Sequence, residues 1–475
     1  MPEQFDVVVI GGGTAGLVTA SGCARLGRRV ALVEKHALGG DCLWTGCVPT
    51  KALVASAKLA HQMRNAAQWG LPPHEPQLSP RSVMESMREA RRVASKHDNP
   101  EKFRKLGIDV IEGDARLTGQ NSVAVGERRI LARDIVIATG SRTAVPPIEG
   151  LRESGFADHV SFLERDHFPR SVLILGGGYI GIEFAQILRR FGSTVTVVEM
   201  LDEIINKEDP EVIGRVRQIL GAEGIEIRTG WKVKSVRTEG TQKIAQVESR
   251  AGVIESIAAD EIFVAAGRRG NIEGLGLEET GVKTDRSYLV ADRYLQTSVP
   301  RIWGCGDVLG SLQFTHVAAY QAVKLVRNIL FPGKAAADYT HVPWALYTDP
   351  EVAHLGMTEP EARAEHGDAV RVYCEEMADV DRAVVDRTTA GFVKLVCGRR
   401  GEILGAHIVA AQASALIGEV VLARKKGVRI GGLAQVISPY PSLADAIQKA
   451  AAQHYQRLST SWAGALGRRI AAWAQ

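Results

Sequence analysis

The chain has 475 residues, of which 45% are hydrophobic and 24% charged, with a net charge of +4. That length predicts about three domains, and the proportions are those of an ordinary globular protein. So slight a positive excess excludes a general nucleic-acid binder, and six cysteines with only one close pair suit a reducing, cytoplasmic setting.

The N-terminus carries no basic stretch, and its apolar run leads straight into glycines. It reads as a first strand rather than a signal peptide. No stretch reaches the roughly eighteen apolar residues of a spanning helix. Residues 6–10 form a short, nearly continuous apolar run, the pattern of a buried parallel strand. Gly11, Gly13 and Gly16 then follow the G-x-G-x-x-G spacing ahead of a small-residue helix. There the first glycine makes a tight turn, the second admits a pyrophosphate to the backbone, and the third lets helix pack on strand. The helix N-terminus adds partial positive charge. A second strand ends at Glu34, placed to accept ribose hydroxyls. Glycines, strand, helix and acid in this order signal a dinucleotide site.

Residues 39–51, Gly-Gly-Asp-Cys-Leu-Trp-Thr-Gly-Cys-Val-Pro-Thr-Lys, hold the close cysteine pair, Cys42 and Cys47. A regular helix would set their α-carbons roughly 8–9 Å apart, whereas a disulfide needs less than about 7 Å. If the two are bonded, this turn is not regular helix. Gly46 and Pro49 permit the distortion. A structural disulfide would suit a secreted chain, and zinc would need further paired ligands. Cys23, Cys305, Cys374 and Cys397 are isolated from one another, so no metal site is expected.

Residues 50–106 read as helical, with a polar loop at 72–80. Strands are predicted at 108–117, 122–125 and 135–139, the last running into Thr139-Gly140. The dinucleotide unit then recurs. The strand at 171–175 leads into Gly176, Gly178 and Gly181, and a later strand ends at Glu199. Each acid lies eighteen residues beyond its last glycine. Two equivalent units imply two dinucleotides. From about 341 the pattern changes to short strands and helices, with a hairpin at 398–401. His407 lies within the second strand of that hairpin and is expected to pack rather than react. In the tail from 456, Trp462, Leu466, Ile470 and Trp473 share one helical face with Arg468 and Arg469 between them. Packing is one reading, and membrane-surface or partner contact is the other.

Residues 39–51 resemble the active-site signature of the flavin-dependent pyridine nucleotide–disulfide oxidoreductases, and the resemblance runs from about residue 5 to about 455. It implies an α/β fold with two Rossmann-like dinucleotide-binding domains and an α+β C-terminal dimerisation domain. The implied division is a flavin domain at 1–147 and 272–340, a nicotinamide domain at 148–271, an interface domain at 341–455, and a basic amphipathic tail at 456–475. It further implies a redox-active Cys42–Cys47 disulfide, with electrons passing from NADH via FAD to the pair and on to a small-molecule acceptor. Cys42 would be the outer, attacking thiol. Cys47 would lie nearer the flavin, with Lys51 beside the flavin and Glu183 as that lysine's ionic partner. FAD would be held by Gly11, Gly13, Gly16, Glu34, Thr45, Lys51, Ala115, Thr139, Gly140, Asp307 and Ala318. NAD would be held by Gly176, Gly178, Gly181, Glu199 and Gly267. NADH is expected over NADPH, because Glu199 repels a 2′-phosphate. A homodimer would complete each active site across its interface.

The C-terminal signature departs from the family pattern. A histidine and a glutamate are usual there, whereas this chain has Tyr440 and Asp445. A phenol is a poor base at neutral pH. The mercuric reductase-like branch resembles the chain better, since it also places a tyrosine there, although the C-terminal cysteine pair of that branch is missing. Expected acceptors are a soft metal ion, a small disulfide or a quinone. Dihydrolipoamide dehydrogenase is the alternative, and a flavoprotein that docks a membrane or protein partner is the reading from another class.

Overall fold

The computed structural model describes residues 3–460, and the tail residues from Trp462 to Trp473 singled out above lie outside them. The chain divides into two compact units. Among the described residues, one comprises the chain up to Ser56, Gln77–Gly176 and Val233–Asp338; the other comprises Ala57–Pro76, Gly177–Lys232 and the chain from Tyr339 onward. Among the described residues no helix is long and apolar enough to cross a membrane.

The first unit is built on the strand Glu3–Ile10. It pairs in parallel with Val30–Glu34 on one side and with Arg128–Ile137 on the other. Ile108–Glu112 extends the sheet beyond Val30–Glu34, and Ile302–Gly304 adds in parallel to Arg128–Ile137. Its second half, Val7–Ile10, is wholly apolar because both faces are covered there. Val7 and Val9 pack with the helices Thr14–Arg25 and Thr315–Leu330. Val8 and Ile10 pack on the opposite side with Leu117, Val123 and Ile130. The expected strand at 108–117 is in fact two, Ile108–Glu112 and Ala115–Gly119. Gly113, at φ +145°, turns the chain between them and donates to the Glu34 carbonyl. The second segment then pairs antiparallel with Ser122–Val125. Ser141–Thr143 and Arg268–Gly270 form a short antiparallel ribbon, and Ser171–Leu175 pairs in parallel with Glu261–Val264.

In the second unit, Thr194–Glu199 pairs in parallel with Glu226–Thr229. A five-stranded antiparallel sheet follows, in the order Pro343–Leu346, Glu351–Gly356, Ile403–Ala410, Phe392–Cys397, Arg371–Glu376. One of its faces, with Ala353, Leu355, Leu395, Ala406 and Ile408, packs against residues of the helices Ala413–Lys425 and Asp445–Thr460.

The repeat read from the sequence is matched atom by atom. Gly11 has φ +108° and Gly176 has φ +111°. A Cβ on either would overlap a backbone carbonyl, that of Ala138 or of Ala265. Glu34 accepts from Gly12 N–H at 2.6 Å and His36 N–H at 2.8 Å. Glu199 accepts from Gly177 N–H at 2.6 Å and Leu201 N–H at 2.8 Å.

Because both first glycines combine positive φ with a carbonyl at the missing Cβ, Gly11→Ala and Gly176→Ala should each cost about 1–3 kcal/mol of local strain. Gly11→Ala should purify with substoichiometric FAD, read as a raised 280/450 nm absorbance ratio. Gly176→Ala should keep its flavin and lose affinity for NADH. Full flavin content in Gly11→Ala would contradict this.

Candidate active site

The redox segment begins on the first glycine loop. Gly39 N–H donates to the Gly12 carbonyl at 2.8 Å, and Gly39 bridges Gly13. Gly39 and Gly40 both have positive φ, and a Cβ on Gly40 would meet the Gly13 backbone. A short helix, Gly40–Trp44, then carries Cys42, and a second helix, Cys47–Arg64, opens with Cys47. The break falls at Thr45–Gly46, where both N–H groups turn back to the Asp41 carbonyl, at 2.9 and 2.5 Å. Pro49 is compatible with a helix start at Cys47. It sits in the first turn of the second helix, where its missing N–H removes no intrahelical bond.

Cys42 and Cys47 are unbonded in this structure and hydrogen-bond to each other. The Cys47 thiol is lowered to about 6, first by the hydrogen bond from Cys42, then by Thr315 and the charge of Lys51, against the pull of burial. Thr315 Oγ1 lies 3.4 Å from Cys47 Sγ and opens the helix Thr315–Leu330. The helix start adds positive potential at the same sulfur. Cys42 is pushed up, first by that same bond to Cys47 and then by burial. The surroundings favour ionising Cys47 ahead of Cys42.

Asp41, beside Cys42, anchors this arrangement. Its carboxylate accepts from Arg268 at 2.6 Å and from Thr45 Oγ1 at 2.5 Å, and it lies 3.3 Å from His159 Nε2. Burial works against its charge, yet the His159 hydrogen bond and the Arg268 charge hold it well below the usual carboxylate range. Arg268 also donates to Ser141 Oγ, which in turn donates to Asp307. Asp41, His159, Arg268 and the Thr315 contact were not found from the sequence. Their pairings span 118 to 268 residues, and no local pattern marks them.

The residues of the first unit fit a bound FAD. The Gly11 turn leaves room only for backbone, and Gly13, in extended conformation, starts the helix Thr14–Arg25. A cleft of about 480 Å³ beside Glu34, His36, Leu38, Trp44 and Asn99 accommodates a nucleoside. Asp307 is pushed up by burial, which suits a carboxyl meeting a hydroxyl-rich chain. Thr139 Oγ1 donates to the Asn271 carbonyl, and Asn271 N–H donates to the Gly140 carbonyl, fixing the strand end. Gly267 has φ +126°, and Ala115 and Ala318 are buried.

In the second unit Glu183 is buried and accepts from Tyr347 N–H at 2.8 Å, so it is no surface glutamate. Gly178 precedes the helix Tyr179–Arg190, with Gly181 buried in its first turn. Tyr440 is 74% exposed and donates to Asp381 at 2.6 Å. That bond raises its pKa further above the phenol range. Asp445 begins the helix Asp445–Thr460 and accepts from Ser442 N–H.

Residues 5–322 match the family model described as pyridine nucleotide-disulphide oxidoreductase, and residues 342–451 match the dimerisation domain of the same family. The chain is 34% identical over 468 residues to dihydrolipoyl dehydrogenase of Bacillus subtilis, covering 95% of this chain and 98% of the relative. It is 33% identical over 459 residues to mercuric reductase of Streptomyces lividans, covering 94% and 95%. Among solved structures it is similar to the HOCl-induced flavoprotein disulfide reductase RclA of Escherichia coli, solved as a Cu(II) complex. The TM-score is 0.85, with 28% identity over 95% of this chain and 99% of that one.

The reduced holoprotein should show a long-wavelength charge-transfer band that grows as pH rises through about 6, because the thiolate forms above that pH. Cys47→Ser should abolish the band and Cys42→Ser should keep it. Thr315→Ala should move the midpoint upward by about one to two units, given that a hydrogen bond to a charged group is worth about 1.5–3 kcal/mol. An absorbance titration decides, and a midpoint unchanged in Thr315→Ala would remove that threonine from the site.

Proposed function

The chain belongs to the pyridine nucleotide–disulphide oxidoreductase family, and on that footing we propose that it is a homodimeric, NADH-driven reductase delivering electrons from Cys42–Cys47 to a soft or borderline metal ion. The enzyme class, the use of FAD and a nicotinamide dinucleotide, and dimerisation follow from the family. The acceptor, the residue roles and a cytoplasmic location are our reading. So is the division of labour, with flavin binding at 1–147 and 272–340, nicotinamide binding at 148–271, and the interface at 341–455.

When bound, FAD supplies two-electron transfer between the nicotinamide and the cysteine pair. The protein's own contribution is positional and electrostatic. Gly11, Gly13 and Gly16 leave the backbone open to a pyrophosphate, and Glu34 takes a ribose. Lys51, Thr315 and the helix start hold Cys47 as thiolate. Cys42 keeps its proton and is the thiol that meets the acceptor. Oxidising the pair to its disulfide releases two electrons. Only the Cys42 proton must also leave when Cys47 is already ionised.

One observation carries the choice of acceptor: Tyr440 stands where disulfide-exchanging relatives place a histidine, and its hydroxyl is committed to Asp381. It cannot take up a proton at neutral pH, and the hydrogen bond to Asp381 leaves it a still weaker acid. General acid–base help is worth about 100- to 10,000-fold, so thiol–disulfide substrates should be handicapped by something on that scale. A metal ion binds sulfur without a proton relay. The Cu(II) complex of the similar RclA structure supports this reading. The 34% identity to dihydrolipoyl dehydrogenase keeps that activity as the second reading.

Steady-state turnover with NADH and Cu(II), Hg(II), lipoamide and glutathione disulfide separates the two. Metal reduction should dominate in wild type, and Tyr440→His should raise disulfide turnover. Fast lipoamide turnover indifferent to Tyr440→His would overturn the proposal. Cofactor preference is tested separately: kcat/KM should favour NADH over NADPH, and Glu199→Ser should narrow that ratio at least tenfold, on the order of the 1.4 kcal/mol lost with one charged contact.

A further inference from the structure

The second unit holds a buried polar cluster that the proposed reaction does not use. On the five-stranded sheet, Trp344, His354, His407 and Lys394 are successive cross-strand neighbours. The alternate residues of these strands form the apolar core, so this row stands on the other face. Glu208 and Asp209, just ahead of the helix Pro210–Ala222, meet it.

Three of these groups converge. One oxygen of Glu208 and one nitrogen of each of His354 and His407 lie within 4.8 Å of one another, and all three residues are no more than 4% exposed. His354 Nε2 lies 2.8 Å from the Gly356 carbonyl, and His407 Nε2 lies 3.0 Å from the Met357 carbonyl. A carbonyl only accepts, so each Nε2 carries a hydrogen and each Nδ1 is the nitrogen left to act as a ligand. His354 Nδ1 lies 3.1 Å from Glu208 Oε2. The other carboxylate oxygen, Oε1, is held by Tyr179 Oη and Trp344 Nε1, both at 2.7 Å. His407 Nδ1 is buried and has no hydrogen-bond partner. Burial keeps that ring neutral, its pKa pushed down to about 4. Metal-bound imidazoles characteristically donate their second nitrogen to a carbonyl or carboxylate, and ligating carboxylates are themselves hydrogen-bonded. Every such outer contact is already made here.

We propose that Glu208 Oε2, His354 Nδ1 and His407 Nδ1 bind a divalent first-row transition ion of the zinc type as a structural centre. Two imidazoles and one carboxylate are a borderline donor set. That set favours zinc and its neighbours over magnesium or calcium, and it lacks the thiolates a soft ion prefers. Binding displaces the proton between His354 and Glu208 to solvent. The adjacent Lys394 does not oppose the ion, because Asp209 at 2.9 Å and Glu359 at 2.7 Å already meet its charge. The site stitches the segment that carries Glu208 to two central strands of the sheet. It was not expected from the sequence, because its three residues are far apart and in no ligand spacing.

Metal content tests this on the full-length holoprotein, expressed with zinc and desalted. The redox thiols also bind metals, so the measurement is made in the Cys42→Ser/Cys47→Ser background. Elemental analysis should find zinc close to equimolar with the chain there. His407→Gln and Glu208→Gln should each lower it at least tenfold, and the thiol-free protein should melt at a higher temperature with zinc than with chelator. If either variant fails to fold, the thiol-free protein decides alone. Zinc that disappears with the two cysteines overturns the proposal. So does thiol-free protein that is metal-free and melts at one temperature with or without zinc.

Discussion

The first glycine loop carries two loads. Its N–H groups and open backbone form the cradle a pyrophosphate needs, and its Gly12 carbonyl and Gly13 backbone hold Gly39 at the start of the redox segment. The register between cradle and cysteines is therefore set by main-chain hydrogen bonds rather than by flexible side chains. Gly40 must approach the Gly13 backbone so closely that a Cβ has no place. The helix that follows can then break at Thr45–Gly46 without drifting, because Asp41 takes both freed N–H groups on its carbonyl while Arg268 and His159 hold its side chain.

The same chemistry can be reactive or inert within this one chain, depending on surroundings. Cys23, Cys305 and Cys397 are buried among apolar side chains, and burial pushes their thiols up to about 12. Cys47 has a donor on either side and a lysine nearby, and it falls to about 6. Desolvation acts on all four, but only at Cys47 do hydrogen bonds and a positive charge outweigh it. Histidine shows a parallel contrast in packing. His407, on a central strand, is buried with one nitrogen satisfied, whereas Tyr440 replaces histidine at an exposed position where its hydroxyl finds an acid.

What could be read from the sequence was what is local. Apolar runs ending in glycine, each with an acid after a fixed interval, mark both strand–glycine–helix units; that Glu34 and Glu199 each accept from the middle glycine's N–H is seen only in the structure. The cysteine spacing demands a break in the helix only if the two are bonded, and Gly46 and Pro49 permit one; the break between Trp44 and Cys47 is present with both thiols free. Proline in a first turn is neutral, and the decisive acceptor was the Asp41 carbonyl. The strand at 108–117 was read through Gly113 because periodicity says nothing of a chain reversal at one positive φ. Asp41 with Arg268, Cys47 with Thr315, and Glu208 with His354 are contacts across more than a hundred residues. Only the assembled sheets bring them together.

The placement of protons follows from these environments and bears on the proposed acceptor. If Cys47 ionises ahead of Cys42, as the directions of their shifts indicate, the reduced pair carries one mobile proton, on the sulfur proposed above to meet the acceptor. A disulfide acceptor must itself gain protons as it is cleaved, so it calls for a base and acid beside Cys42. Tyr440 cannot serve, because its hydrogen bond to Asp381 strengthens its hold on the phenolic proton. A metal ion has the opposite need: it stabilises the thiolate it binds and drives the Cys42 proton off to water. Electrostatics that leave a single proton to dispose of therefore suit an acceptor that takes electrons alone.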